Sequence, residues 1–210
     1  MPLIQPFAGL RPRPEYAAAV VAPPYDVLDT EEARARAADN PWSFLHISRP
    51  EIDFPAGTTP AAPGLYARGK ESLMRMIEHE VLQYDHESGY YVYELRMGTH
   101  TQTGLVVAAS VAAYEDNRIR KHEDTRAEKV DDRAQQIEAL NAHTGPVAMI
   151  YRHTPLVDSL IQTAAQGDPE ADVTTDAGVR HCLWVVREPG RVRALSSAVE
   201  HLDVLYIADG

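Results

Sequence analysis

VRHCLWVVREPGRVRALSSAVEHLDVLYIADG, residues 179–210, is the stretch that settles the fold class. Residues 179–187 read as an apolar strand, 191–201 as a helix, and 204–208 as a short apolar strand ending in Asp209-Gly210. Toward the N-terminus, 166–178 is polar and turn-prone. Thr154-Pro155 opens a helix carrying Leu156, Val157, Leu160 and Ile161, and 145–152 reads as a buried strand. Residues 124–142 are helical through Val130, Ile137 and Leu140. This alternation predicts an α/β chain of the mixed α+β kind, a mixed sheet with flanking helices, with parallel pairing beyond Tyr114.

Further upstream, 90–95 and 104–114 are rich in β-branched and aromatic residues and predict two antiparallel strands joined across the polar stretch 97–103. Residues 65–82 place Tyr66, Leu73, Ile77 and Val81, with Met74 beside them, on one stripe of an amphipathic helix. The Pro-, Ala-, Thr- and Gly-rich segment 50–64 predicts an exposed loop. A helix begins at Asp29 or Thr30, where Asp29 and Glu32 have capping-box spacing, and stops at Asn40-Pro41. Residues 1–27 are punctuated by proline and read as extended segments and turns. The whole, 1–210, is taken as one α/β domain.

Composition narrows the function classes. With 44% hydrophobic residues, disorder is excluded, and the longest apolar run, 105–113, is far shorter than the roughly 20 residues a bilayer-spanning helix needs. No cationic start followed by an apolar stretch marks a secretory signal, so a cytoplasmic address is expected. A net charge of −11 disfavours a nonspecific grip on DNA, RNA or anionic lipid. The single cysteine, Cys182, excludes an internal disulfide or a thiolate metal cluster and reads as a buried, inert thiol. Walker, dinucleotide-binding, nucleophile-elbow and His-Glu-x-x-His patterns are all absent.

Three short stretches carry chemistry. In Val21-Ala22-Pro23-Pro24-Tyr25-Asp26-Val27, two prolines rigidify the approach to Tyr25 and Asp26; Asp26 is either a binding carboxylate or the cap of a turn. In Arg120-Lys121-His122-Glu123-Asp124-Thr125, at a strand-to-helix junction, Glu123 suits proton acceptance from a hydroxyl. There His122 suits donation to phosphate and Thr125 a helix cap, while Lys129 and Arg133 lie one and two turns on with charge for phosphate oxygens. A solvated charged turn explains the same residues. In Tyr206-Ile207-Ala208-Asp209-Gly210, an apolar strand delivers a carboxylate suited to Mg²⁺ or nucleotide phosphate, beside a glycine that permits close backbone approach; an Asp-Gly turn without any ligand is the plainer alternative.

Together with Pro6-Phe7-Ala8-Gly9-Leu10-Arg11, Tyr91-Val92-Tyr93-Glu94 and Asp132-Arg133, these stretches resemble a bacterial family catalogued as domain of unknown function 1015, over nearly the whole chain. In that family the last stretch continues into His-His-Arg, a segment similar to the phosphate-binding motif of free-serine kinases of the ParB/sulfiredoxin-like fold. The resemblance implies transfer of a phosphoryl group from ATP, with Mg²⁺, to the hydroxyl of free L-serine. Glu123 matches the general base of those kinases and Asp209 the acid of their phosphate motif. Asp26, Tyr25, His122, Thr125, Lys129, Arg133 and Gly210 are the candidate substrate or nucleotide contacts. The implied partners are a nucleotide and an amino acid, without nucleic acid or membrane, and a homo-oligomer is compatible with the reading. Because the sequence stops before the basic segment, it is expected to be the N-terminal part of a longer protein and to turn over poorly alone. The alternative is a nucleotide-binding regulator or ParB-like DNA-partition module without kinase activity.

Overall fold

Val179–Val186 pairs antiparallel on both sides, with Tyr90–Met97 and with Ala171–Thr174, and His100–Val106 closes a four-stranded antiparallel sheet beyond Tyr90–Met97. A computed structural model describes residues 2–58, 64–122 and 124–209. The chain forms a mixed α/β structure whose contacts divide it into two compact units. One, the sheet unit, comprises 1–14, 84–122 and 147–210; the other, the helical unit, comprises 15–83 and 123–146. No helix among the described residues is long and apolar enough to cross a membrane.

In the sheet unit, period-two alternation sends Tyr90, Val92 and Val186 into a core shared with Val157 and Ile161 of helix Pro155–Ala164 and with Leu195 and Val199 of helix Pro189–Glu200. Each large apolar side chain buried there contributes roughly 1.5–3 kcal/mol. The hairpin expected between 90 and 114 forms, with Met97 opposite His100 across Gly98-Thr99. Its second strand ends at Val106, because Ser110 accepts a hydrogen bond from Ala113 N and caps the short helix Val111–Glu115. Ala108–Ala109 pairs instead with Ile4–Gln5.

Two expectations for the second half of this unit are corrected and a third is met at one place. Residues 166–178 contain a strand, Ala171–Thr174, whose alternating exposure suits the polar outer edge of the sheet. The strand within 145–152, Ala148–Ile150, is not buried: Ala148 and Ile150 are exposed because it lies at the edge of a separate three-stranded sheet. The parallel pairing expected beyond Tyr114 is present, and among the described strands it is confined to Ile119–Arg120 against Leu205–Tyr206. The strands flanking helix Pro189–Glu200 enter different sheets, so that helix makes no crossover within one.

Pro6-Phe7-Ala8-Gly9-Leu10-Arg11 and Tyr91 serve the architecture of this unit. Gly9 N donates to the Tyr91 hydroxyl at 2.7 Å, and that hydroxyl donates to Asp85 Oδ2 at 2.6 Å. Arg11 and Arg187 both bridge to Asp85 Oδ1, at 3.0 and 2.5 Å, and the Asp85 side chain is 6% exposed. A Cβ on Gly9 would sit 2.8 Å from the Tyr91 hydroxyl, so only glycine fits there. Gly89 is equally constrained: it exchanges backbone hydrogen bonds with Phe7, and a Cβ there would lie 2.9 Å from Val186 O. Gly89→Ala should therefore lower stability by about 1–3 kcal/mol. The check is a shift of the urea midpoint at constant slope, and an unmoved midpoint would show that the Val186 backbone gives way freely.

The helical unit bears out the first helix, Thr30–Ala37. Asp29 Oδ1 accepts from Glu32 N at 2.8 Å and Glu32 Oε2 accepts from Asp29 N at 3.0 Å, a complete capping box. Asn40 ends the segment by donating to Ala19 O and accepting from Trp42 N. The next long helix runs Leu65–Glu78 and stops short of Leu82. Glu80 takes a left-handed conformation at φ 56°, Val81 N reaches Met76 O and Glu80 N reaches Ile77 O, which is a Schellman ending. Its buried face is Leu65, Gly69, Ser72, Leu73 and Met76, rotated from the expected stripe; Tyr66 and Ile77 are half-buried and Met74 is exposed.

Segment 50–64 is not an exposed loop throughout. Pro50–Asp53 is a 3₁₀ turn with Pro50, Glu51 and Ile52 buried, because Arg49 neutralises Glu51 and Ile52 joins the core of Ala33, Ala37 and Leu45. Residues 59–63 lie outside the described residues. The helix expected over 124–142 is Ala127–Leu140, with Arg126 at its N-cap and no side-chain cap; Thr125 does not cap it.

Candidate functional site

Two places gather the residues singled out from sequence, one in each unit. In the sheet unit, Ile119–Arg120 and Leu205–Tyr206 run parallel in register, Ile119 opposite Leu205 and Arg120 opposite Tyr206. The chain leaves both strands at their carboxyl ends, where side chains project beyond the sheet and ligands bind in α/β structures. One strand leads to His122, which is exposed, and the other to Asp209, also exposed. On its other side, the antiparallel pairing of Leu205–Asp209 with Ala148–Ile150 shifts register between Ile207 and Asp209. Glu123 and Gly210 lie outside the described residues.

The fit of this sheet end to Mg²⁺ rests on Asp209. Mg²⁺ held on nucleotide phosphates keeps much of its water and takes one or two protein carboxylates. An exposed aspartate at a strand terminus meets that demand. Among the described residues no group of three or more His, Cys, Asp or Glu side chains is arranged to hold a metal, which such a shared ion does not require.

In the helical unit, Tyr25 and Asp26 line a cleft of about 270 Å³ with Lys129 and Arg133. The Pro-Pro turn is closed by Val27 N donating to Pro24 O. It is anchored by Arg49, whose Nη1 donates to the carbonyls of Tyr25 and Leu28 at 2.6 and 2.7 Å, Nη2 to Thr30 Oγ1 at 3.0 Å and Nε to Glu51 at 2.6 Å. Arg49 thus spends its donors on the loop and keeps Tyr25 and Asp26 in place. The opposite wall is one face of helix Ala127–Leu140, where Lys129, Asp132, Arg133 and Gln136 recur at helical spacing.

Two charges on that wall, Asp132 and Arg133, hold each other in place. Tyr66 donates to Asp132 Oδ1 at 2.7 Å, while Arg133 donates from Nε and Nη2 to Asp132 Oδ2 at 2.9 and 2.5 Å. The Arg133 guanidinium also stacks over the Tyr25 ring at 4.4 Å. Burial would raise the Asp132 carboxyl, but the hydrogen bonds from Tyr66 and Arg133 and the charges of Arg133 and Lys129 outweigh it and hold it below the usual carboxylate range. Burial, followed by the bond to Asp132, pushes Tyr66 up to about 12. Tyr66 is therefore a fixed donor and Asp132 a fixed anion, and neither is a proton acceptor at neutral pH.

Arg49, Glu51, Tyr66 and Gln136 line this cleft without having been named from the sequence as site residues. Gln136 had a visible signal, seven residues after Lys129 on the same helical face. Arg49, Glu51 and Tyr66 had none, because their place depends on packing between helices distant in sequence. No curated protein and no solved structure matches the chain. The stretches quoted from the sequence, from the Pro6–Arg11 motif to Asp209, fall within residues 4–210, which match the family described as "Protein of unknown function (DUF1015)", and the chain belongs to that family.

Proposed function

We propose that the protein is an ATP-dependent kinase that phosphorylates the hydroxyl of free L-serine to O-phosphoserine. The observation that supports this reading best is the parallel pair Ile119–Arg120 and Leu205–Tyr206, whose carboxyl ends lead to His122 and to Asp209. In the reaction the serine Oγ attacks the γ-phosphorus, its proton passes to the Glu123 carboxylate, and the bond to the β–γ bridging oxygen breaks to release ADP. Bound Mg²⁺ supplies neutralisation of the phosphate charge. Asp209 would hold the Mg²⁺ carried by the phosphates, and His122 would donate to a phosphate oxygen. Phosphoryl transfer needs little covalent help, so positioning and charge carry most of the acceleration.

The test is incubation of the full-length protein with γ-labelled ATP, Mg²⁺ and L-serine, followed by chromatography for labelled phosphoserine. Label should appear on serine and not on L-alanine, which lacks the hydroxyl. ATP binding with no serine-dependent transfer would overturn the kinase reading in favour of a nucleotide-binding regulator.

A further inference from the structure

We infer that the cleft in the helical unit is a binding site for a small zwitterion, an α-amino acid, whose ammonium is taken by Asp26 and whose carboxylate is taken by Lys129 and Arg133. Of the acidic groups lining the cleft, Glu51 is committed to Arg49 and Asp132 to Tyr66 and Arg133. Asp26, on the rigid Pro-Pro turn, has no such commitment within the cleft wall and is exposed. Of the basic groups, Arg49 is spent on loop carbonyls, Thr30 and Glu51. Lys129 is exposed, and Arg133, clamped by Asp132 and Tyr25, leaves Nη1 outside its fork with Asp132. One carboxylate and two cationic donors therefore remain for a ligand.

A second, independent observation is Ser48, which lines the same cleft and whose Oγ is buried without a hydrogen-bond partner among the described residues. Buried hydroxyls are rarely left unsatisfied, so Ser48 marks a polar spot in the wall of this cleft. Size points the same way. A cleft of about 270 Å³, just under the roughly 300 Å³ lower end of small-molecule pockets, has room for an amino acid. A free phosphate shares the anion chemistry of Lys129 and Arg133, but the Asp26 carboxylate repels a dianion and attracts an ammonium.

The inference rests on the kinase reading only for which amino acid is bound. The experiment is calorimetry of the protein with L-serine, L-serinamide, D-glycerate and inorganic phosphate, repeated on Asp26→Asn and Lys129→Met, whose side chains are exposed and whose folding is checked by thermal melts. L-Serine should bind more tightly than any of the other three. Asp26→Asn should weaken serine about tenfold or more while leaving glycerate unchanged, and Lys129→Met should weaken both. Phosphate or glycerate binding as tightly as serine, or serine binding unmoved in both folded variants, would overturn the site. Phosphoserine formation is measured in parallel on the same samples. Serine binding that follows this pattern without phosphoserine sinks the kinase and keeps the site; phosphoserine formed while calorimetry shows no serine binding that depends on Asp26 and Lys129 does the reverse.

Discussion

Asp85→Ala is expected to destabilise the protein by about 3–5 kcal/mol, because it strands two guanidinium groups and a phenol that share one nearly buried carboxylate. At the usual scaling for a chain of this size, the melting temperature should fall by on the order of 10 °C. Burial alone would raise the Asp85 carboxyl. The hydrogen bonds from Arg11 and Tyr91, with the charges of Arg11 and Arg187, outweigh it and hold the group below the ordinary aspartate range. As pH falls, the unfolded chain takes up this proton before the folded one does. The contribution of Asp85 is therefore whole above about pH 4 and is lost progressively as pH drops through the lower folded value. Denaturant melts of wild type and Asp85→Asn between neutral and acid pH should converge at the acid end. A constant gap between the two curves would show that Asp85 does not ionise in this network.

Glu123→Gln is expected to reduce phosphoserine formation about 10²–10⁴-fold, the usual worth of a general base, with the KM for serine little changed. Glutamine keeps the shape and removes only the capacity to accept the serine proton. Asp209→Asn, by contrast, should raise the KM for Mg²⁺-ATP, since its proposed role is to hold the ion carried on those phosphates. Steady-state kinetics on the full-length protein separates the two. A Glu123→Gln variant within threefold of wild type would remove the proton-acceptor role from that residue, whatever the fate of Asp209.

The Asp85 network shows why a motif quoted from sequence is not a site by default. Gly9, Arg11 and Tyr91 are as prominent in the sequence as Asp26 or Asp209, yet they tie a strand entry to the sheet through one carboxylate. Asp85 itself carried no local signal. The Pro-Pro turn is the opposite case. Its rigidity was legible in Pro23 and Pro24, and the fold places Tyr25 and Asp26 at a cleft wall.

Local chemistry is what the chain states openly. The Asp29 and Glu32 capping box, the proline that opens Pro155–Ala164, the apolar runs of Tyr90–Met97 and Val179–Val186 and the mixed α/β class all rest on interactions within a few residues, so they could be read before any coordinates. Strand partnership is different. Val179–Val186 and Leu205–Asp209 entered separate sheets, Ala148–Ile150 became an exposed edge, and Arg49 reached across to the Tyr25 turn. These outcomes depend on which distant segments exclude water from one another, and a hydrogen-bonding edge or a guanidinium carries no address in its own neighbours for the partner it will meet.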